Sequence, residues 1–161
     1  MEEKSSMKIP MNTSAKMDMD AEGKVIDQTR HRALIGSLLY LTTSRPNITF
    51  VVGVCARFQS SPEKSHMIVA KRILKYLKGS QVVGLWYPQE GGFKMIGYSD
   101  SDYAGCRVDR KSTYGTCQML GNKLVSWFSK KQNSIATSTA EAEYIALSNR
   151  ALTRIWLRRL L

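Results

Sequence analysis

Two segments of this chain carry carboxylates in settings that suit metal or acid chemistry. Asp100 and Asp102 follow an apolar run, within Tyr98–Gly105. Glu143 lies near the start of a helical pattern, within Ser138–Tyr144. If the end of a strand packs against that helix, two or three carboxylates converge. Such a cluster favours a hard cation such as Mg2+, which prefers oxygen ligands.

Glu143 is the stronger candidate of the two glutamates in its segment. Its neighbours three and four positions away are mainly apolar: Thr139, Ala140, Ala146 and Leu147. A carboxylate on an apolar face costs free energy unless something pairs with it. Glu141 lies about 200° round the helix from it. Two plainer interpretations stay open, namely a solvated turn at Asp100 and Asp102 and a surface glutamate at 143.

The elements that must position these residues fall in the second half of the chain. Residues 1–26 lack periodicity and are predicted to be a flexible arm, and residues 27–79 have the apolar spacing of helices. After Gly79 the period changes to that of strands until Ser138, where a long helix begins. The predicted fold class is α/β of mixed α+β type: a helical module, then an antiparallel sheet and one C-terminal helix.

The boundaries follow from caps, prolines and turn residues. Three helices are expected, with Asn47 as the N-cap of the second and Pro62 at the first position of the third: Gln28 to about Ser44, Asn47 to Phe58, and Pro62 to Gly79. Four short apolar runs are expected to be strands: 82–87, 93–98, 113–120 and 123–129. Only Gly121–Asn122 separates the last two, which favours a tight hairpin. Three strands and the helix therefore carry the acidic residues.

The charge of the chain favours a polyanionic partner. Lys and Arg number 24 against 13 Asp and Glu, a formal net charge of +11, which suits nucleic acid or an anionic surface, although a solvated basic surface is the alternative. Basic residues interleaved with aromatics surround the acidic segments. The predicted nucleic-acid-binding residues are Arg107, Arg110, Lys111, Lys130 and Lys131.

Other compositional features narrow the function classes. The three cysteines lack C-x-x-C spacing and only two histidines are present, so a zinc site is not expected. The N-terminus has no apolar core typical of a signal peptide, and the longest apolar run, Phe50–Ala56, is too short to span a bilayer. We therefore expect an intracellular protein, in the cytoplasm or nucleus, that does not bind a membrane.

Several ordered motifs resemble one family, the copia-type retrotransposon Pol polyproteins, over roughly residues 8–161. Four segments are similar to the ribonuclease H region: Ser99–Cys106, Asp109–Thr113, Val125–Gln132 and Ser138–Tyr144. Two upstream segments resemble the reverse transcriptase connection that precedes it: Arg32–Pro46 and Ala70–Gly79. The resemblance implies a three-helix connection-like module at 27–79 and a truncated ribonuclease H-like domain at 80–161.

The resemblance also implies a chemistry. Enzymes of the ribonuclease H type use four acidic residues to hold two Mg2+ ions that cleave the RNA strand of an RNA–DNA hybrid. Asp100 matches the acid of the first strand and Glu143 that of the first helix, while Asp102 is an extra carboxylate without an assigned role. The family's third and fourth acids lie beyond the position of Leu161. We therefore expect weak Mg2+ binding and weak or absent cleavage.

Partners follow from the same resemblance. An RNA–DNA hybrid or another nucleic acid is the expected ligand. The first strand of the sheet would have an unpaired edge, which invites self-association.

Two alternative functions stay open. The chain could be a non-catalytic nucleic-acid-binding module, or a retroelement-derived interaction protein such as a secreted pathogen effector. Arg72–Lys75 loosely resembles the R-x-L-R translocation motif of oomycete effectors, although it lies in a predicted helix.

Overall fold

The computed structural model describes residues 7–12, 17–19 and 23–160 of the chain. The chain divides into two compact units, Met1–Gly84 and Leu85–Leu161. Part of the predicted flexible arm, residues 1–6, 13–16 and 20–22, lies outside the described residues. Each unit is described by itself.

The first unit is helical, as the apolar spacing predicts. Its elements are α1 (Gln28–Leu41), a 3-10 turn (Pro46–Ile48), α2 (Thr49–Ala56) and α3 (Lys64–Gly79). Asp27 caps α1, because its side chain accepts a hydrogen bond from the Arg30 amide at 3.1 Å. Fully buried Ile35, Val52 and Ile73, one from each helix, form the centre of the core.

Two of the predicted helix starts are wrong. Asn47 does not cap the second helix, because its side-chain amide donates to the Tyr76 hydroxyl at 2.6 Å. Pro62 precedes the third helix, since Glu63 is the N-cap and forms a reciprocal capping box with His66. The Glu63 amide donates to Nδ1 of His66 at 3.0 Å. Competing side-chain hydrogen bonds thus decide both boundaries.

Described parts of the N-terminal segment contact this helical unit. Met11 and Met17 pack against its core. The Asp18 carbonyl lies 2.9 Å from Nε2 of His66, and Val25 forms a short antiparallel bridge with Glu63. These contacts fix the start of α3 from two sides.

The strand predicted over Val82–Tyr87 is wrong. This segment has no regular secondary structure, and Val82 is 98% exposed. The guanidinium of Arg45 binds carbonyl groups before and within this segment. It donates to the Ser80 carbonyl at 2.9 Å and also to the carbonyls of Gln81 and Val83. Apolar residues alone do not make a strand when no neighbouring strand takes their backbone groups.

The second unit is a small antiparallel sheet covered by one helix. It comprises β1 (Met95–Ser101), β2 (Thr113–Leu120), β3 (Lys123–Lys131) and α4 (Thr139–Leu160), with the sheet order β1-β2-β3. Gly121 turns the predicted hairpin with φ +60°, a conformation that favours glycine. The predicted fold class, a helical module followed by a three-stranded antiparallel sheet and a long C-terminal helix, is confirmed.

The helix α4 packs on β1 and β2 through small residues. Ala142 and Ala146 are buried on its inner face, and Gln118 of β2 is fully buried beneath it. The Gln118 side chain donates to the Arg150 carbonyl at 3.4 Å. This packing sets the N-terminal turns of α4 beside the end of β1. None of the helices in the described part of the chain is long and apolar enough to cross a bilayer.

Candidate acidic site at the end of the first strand

The strand β1 lies at an edge of the sheet, with β2 as its neighbour on one side. The amide just after β1, that of Asp102, donates to the Thr113 carbonyl of the adjacent chain segment at 3.0 Å. Hydrogen-bonding direction alternates along an antiparallel strand. The backbone groups of Gly97, Ser99 and Ser101 therefore point away from β2, toward the open edge.

Glu143 reaches this open edge at the end of β1. Its Oε1 accepts a hydrogen bond from the Ser101 amide at 3.1 Å. That nitrogen is bonded to the carbonyl carbon of Asp100, so the helix carboxylate lies beside the peptide of the predicted strand acid. The structure thus places the Glu143 carboxylate next to the backbone of Asp100.

The two carboxylates approach this edge from different sides. Asp100 pairs with Gly115, and alternation places its side chain on the exposed face of the sheet, opposite to the face of Ser101. Glu143 comes from the helix-covered face. The Asp100–Ser101 peptide, at the open edge of β1, lies between the two carboxylates.

The carboxylates at this edge do not make a complete Mg2+ site. Within the described ranges, no group of three or more His, Cys, Asp or Glu side chains is arranged to hold a metal ion. Mg2+ requires near-octahedral oxygen coordination. The pair Asp100 and Glu143 would leave most coordination positions to water or to other ligands, so these residues alone do not fit a two-metal centre.

Asp102 has a structural role that the sequence did not reveal. Its Oδ1 accepts a hydrogen bond from the Thr113 amide at 2.6 Å, which closes the loop between β1 and β2. Gly105 lies against the same carboxylate, since an added Cβ there would be 2.1 Å from Oδ2 of Asp102. Asp102 therefore anchors the loop that follows the acidic strand end.

Glu141 is separated from the strand end, as its helical position predicts. Its carboxylate accepts hydrogen bonds at 2.6 Å from both the hydroxyl and the amide of Thr137. These two bonds, the hydroxyl first, lower the pKa of Glu141. Glu141 thus stabilises the start of α4, while Glu143 contacts the strand.

Gln132 ties the elements of the site together and was missed as a positioning residue. Its side-chain amide donates to the Ala142 carbonyl at 2.9 Å and to the Ser101 hydroxyl at 3.3 Å. The backbone amide of Gln132 donates to the Ser112 carbonyl at 2.8 Å. The side chain is nearly fully buried. A buried polar residue just after a strand was the available signal.

The predicted nucleic-acid-binding residues gather at the same end of the sheet. Lys130 and Lys131 end β3, opposite Tyr114 and Thr113 at the start of β2. Arg107, Arg110 and Lys111 lie in the loop between β1 and β2. Arg107, Arg110 and Lys130 are exposed, and Lys111 is half-buried. The register of β3 and the loop between β1 and β2 therefore bring the basic residues to the end of the sheet where Asp100 lies.

Lys131 forms an ion pair with the loop between β1 and β2. Its Nζ lies 2.6 Å from Oδ2 of Asp109 in the loop. Burial raises the pKa of Asp109, but hydrogen bonds from Lys131, Cys106 and the Lys111 amide, with the lysine charge, outweigh it and hold the pKa at about 2. Lys131 thus fastens the loop to β3 and is less available to a ligand.

Several known proteins similar to this chain are retrovirus-related Pol polyproteins of transposons. The retrovirus-related Pol polyprotein from transposon RE1 of Arabidopsis thaliana is 36% identical over 152 residues, which are 94% of this chain and 10% of that protein. The Pol polyprotein from transposon TNT 1-94 of Nicotiana tabacum is 40% identical over 134 residues, or 81% of this chain and 10% of that protein. The chain belongs to the family of copia-type retrotransposon Pol polyproteins. It spans about a tenth of the length of these relatives.

One further relative of this chain is described as a secreted effector protein rather than a Pol polyprotein. Secreted RxLR effector protein 161 of Plasmopara viticola is 41% identical over 124 residues, which are 76% of this chain and 87% of that protein. No protein-family model and no solved structure matches the chain.

Proposed function

We propose that this chain is a nucleic-acid-binding segment of a retroelement Pol polyprotein that contains part of a Mg2+-dependent ribonuclease H-type site. On its own it binds an RNA–DNA hybrid or another nucleic acid and cleaves the hybrid weakly or not at all. The observation that carries this proposal is the 3.1 Å contact between Glu143 and the Ser101 amide, directly beside Asp100.

The proposed lack of strong activity follows from ligand number. Two-metal cleavage needs one ion to activate the attacking water and another to stabilise the leaving oxygen. Asp100 and Glu143 offer too few oxygens for two near-octahedral ions. Mg2+ held by these residues would also compete with the Ser101 amide for the Glu143 carboxylate. We therefore expect weak Mg2+ binding at the end of β1.

The basic residues at this end of the sheet support nucleic-acid binding. Arg107, Arg110, Lys111 and Lys130 are offered as phosphate contacts, while Lys131 mainly holds the loop through Asp109. Four neutralised phosphates of a duplex would give log K against log salt a slope of about −3.6. Both interpretations, binding of a hybrid and binding of nucleic acid in general, predict this salt dependence. They differ in whether binding requires Mg2+.

A labelled RNA–DNA hybrid tests both parts of the proposal. Purified full chain is incubated with the hybrid in Mg2+ for the cleavage assay, and binding is measured by fluorescence anisotropy over a salt series. We expect salt-dependent binding with little cleavage, and weaker binding for Arg110→Ala than for Lys131→Ala.

Two results would contradict the proposal. Robust cleavage that disappears in Asp100→Asn would show that the site is complete, and affinity that does not change with salt would rule out the phosphate contacts. Glu141→Gln is the matched control for the acid substitution, because Glu141 contacts Thr137 rather than the strand end.

The similarity to Secreted RxLR effector protein 161 supports a second candidate, a retroelement-derived interaction protein that is secreted. The motif-like segment Arg72–Lys75 lies inside α3, where Ile73 is fully buried. The segment is therefore part of a packed helix rather than an exposed peptide. Mapping the N-terminus of any secreted material tests this candidate, which fails if no chain is exported.

A further inference from the structure

The loop between β1 and β2, residues 102–112, contains a turn that is closed by its own backbone. The Cys106 amide donates to the Lys111 carbonyl at 3.1 Å, and the Arg110 amide donates to the Cys106 carbonyl at 2.9 Å. Arg107 and Arg110, two of the proposed phosphate contacts, lie in this turn and are exposed. The positions of their side chains therefore depend on what holds the turn.

Two residues of the loop have a left-handed backbone conformation. Arg110 has φ +56° and Ala104 has φ +52°. This conformation is unfavourable for a residue with a Cβ, and glycine is its usual occupant. It persists where the surrounding structure enforces it. At Ala104 the backbone amide donates to the Ser112 hydroxyl at 3.1 Å, and Ser112 is buried.

Asp109 supplies the corresponding bonds beside Arg110. Its Oδ1 accepts from the Lys111 amide at 3.3 Å, and its Oδ2 lies 2.6 Å from Nζ of Lys131 on β3. The thiol of Cys106, at the start of the turn, donates to the same carboxylate. One carboxylate thus joins the two sides of the turn to each other and to the sheet.

We infer that Asp109 strengthens nucleic-acid binding, although its charge has the same sign as that of the ligand. It is a positioning residue, because it holds the turn that presents Arg107 and Arg110. This inference rests on the proposed function. A site that is ordered before binding loses less conformational entropy than a mobile one. The benefit is largest for a duplex, whose phosphates have a fixed spacing, since a flexible single strand adapts to a mobile loop.

Electrostatics alone predicts the opposite effect. Removing a negative charge from the basic end of the sheet should tighten the binding of a polyanion. Asp109→Asn keeps the size of the side chain and removes the charge that binds Lys131. We expect this variant to bind an RNA–DNA hybrid about threefold to tenfold more weakly than the wild type, the range expected when one or two side chains must be ordered on binding.

The matched control for this substitution is Glu90→Gln. It removes the same charge from an exposed residue that lies before β1 and outside the loop. Because it leaves the turn intact, it should bind the hybrid at least as tightly as the wild type does.

A second variant loosens the loop without changing any charge. Ser112→Ala removes the hydroxyl that accepts from the Ala104 amide, and it should also weaken hybrid binding. Its control is Ser148→Ala, at an exposed position of α4. Circular dichroism checks that each variant folds, and Ser112→Ala decides the question if Asp109→Asn does not fold.

Fluorescence anisotropy of the full chain measures affinity for the hybrid and for a single strand of the same sequence. In Asp109→Asn the affinity for the hybrid should fall by about twice the factor seen for the single strand, or more. Hydrogen exchange of the Arg110 amide, measured without nucleic acid, reports the order of the turn and should accelerate in the same variant.

Four results would overturn the inference. These are hybrid binding by Asp109→Asn as tight as by Glu90→Gln, equal losses for hybrid and single strand, an unchanged exchange rate of the Arg110 amide, and hybrid binding by Ser112→Ala as tight as by Ser148→Ala. If the wild type does not bind the hybrid, the proposed function fails and the inference fails with it. If the wild type binds with the expected salt dependence and Asp109→Asn binds equally well, only the inference fails.

Discussion

Gln132 is the residue whose replacement should disturb the candidate site most without touching either candidate acid. Gln132→Met keeps the length and nearly the volume of the side chain but removes its hydrogen-bonding groups. The Ser101 hydroxyl and the Ala142 carbonyl, which join β1 and α4, lose their shared donor. The first turns of α4 should then be held less firmly against the end of β1.

The expected cost comes from three terms. Two hydrogen bonds at 2.9 and 3.3 Å are worth about 1 kcal/mol each. Oε1 of Gln132 is buried without a hydrogen-bond partner among the described residues, and its removal returns about 1 kcal/mol of desolvation cost. The net loss is therefore about 1 kcal/mol. For a unit of this size it corresponds to a fall in Tm of about 4–8 °C.

Urea unfolding and thermal unfolding, both followed by circular dichroism, measure this loss. Asn133→Ala is the matched control, since Asn133 is exposed, and it should change the free energy of unfolding by less than about 0.5 kcal/mol. Hydrogen exchange of the Ser101 amide gives a local readout and should accelerate in Gln132→Met. If Gln132→Met unfolds like the control and its Ser101 amide exchanges at the wild-type rate, Gln132 does not position the site.

Two predictions concern pH. The pKa of Asp109 is about 2, so its ion pair stabilises the fold above pH 4 and is lost as pH falls toward 2. Lys131→Met should raise that pKa toward 3.8 in an NMR titration, and an unchanged value would contradict the assignment. Burial, and then the charge of His66, lower the pKa of His31, so the unfolded chain binds a proton more readily and stability falls as pH drops below 6.5, by up to about 1.4 kcal/mol per unit. His31→Leu should flatten this dependence in urea midpoints at pH 7.5 and 5.5; the same slope as wild type would refute it.

Local signals in the sequence predicted much of the fold correctly. Gly79 ends α3, and Gly121–Asn122 forms the hairpin, because these residues act on the backbone within a few positions. The predictions were wrong where a group distant in the sequence determines the backbone conformation. The segment 82–87 is not a strand, since its upstream carbonyls bind Arg45, and no local pattern reveals that competition.

The residues of the candidate site likewise differ in whether local sequence or a distant contact determines their role. The sequence singled out Glu143 because a carboxylate on an apolar helical face needs a partner, and its partner in the structure is the Ser101 amide. The role of Gln132 was not predictable, since it depends on three elements meeting at one point. The contact of Arg150 with Gly97 was likewise invisible, because it needs the position of the helix along the strand.

Binding of a divalent cation at the end of β1 shows whether Asp100 and Glu143 contribute to one metal site. Mn2+ replaces Mg2+ in a titration of the 15N-labelled full chain, and paramagnetic broadening of backbone amides reports where the ion lies. We expect the amides of Asp100, Ser101 and Glu143 to broaden together at millimolar Mn2+ and to recover in excess Mg2+. Broadening confined to only one of the two segments, or centred on another acid such as Asp109, would contradict it.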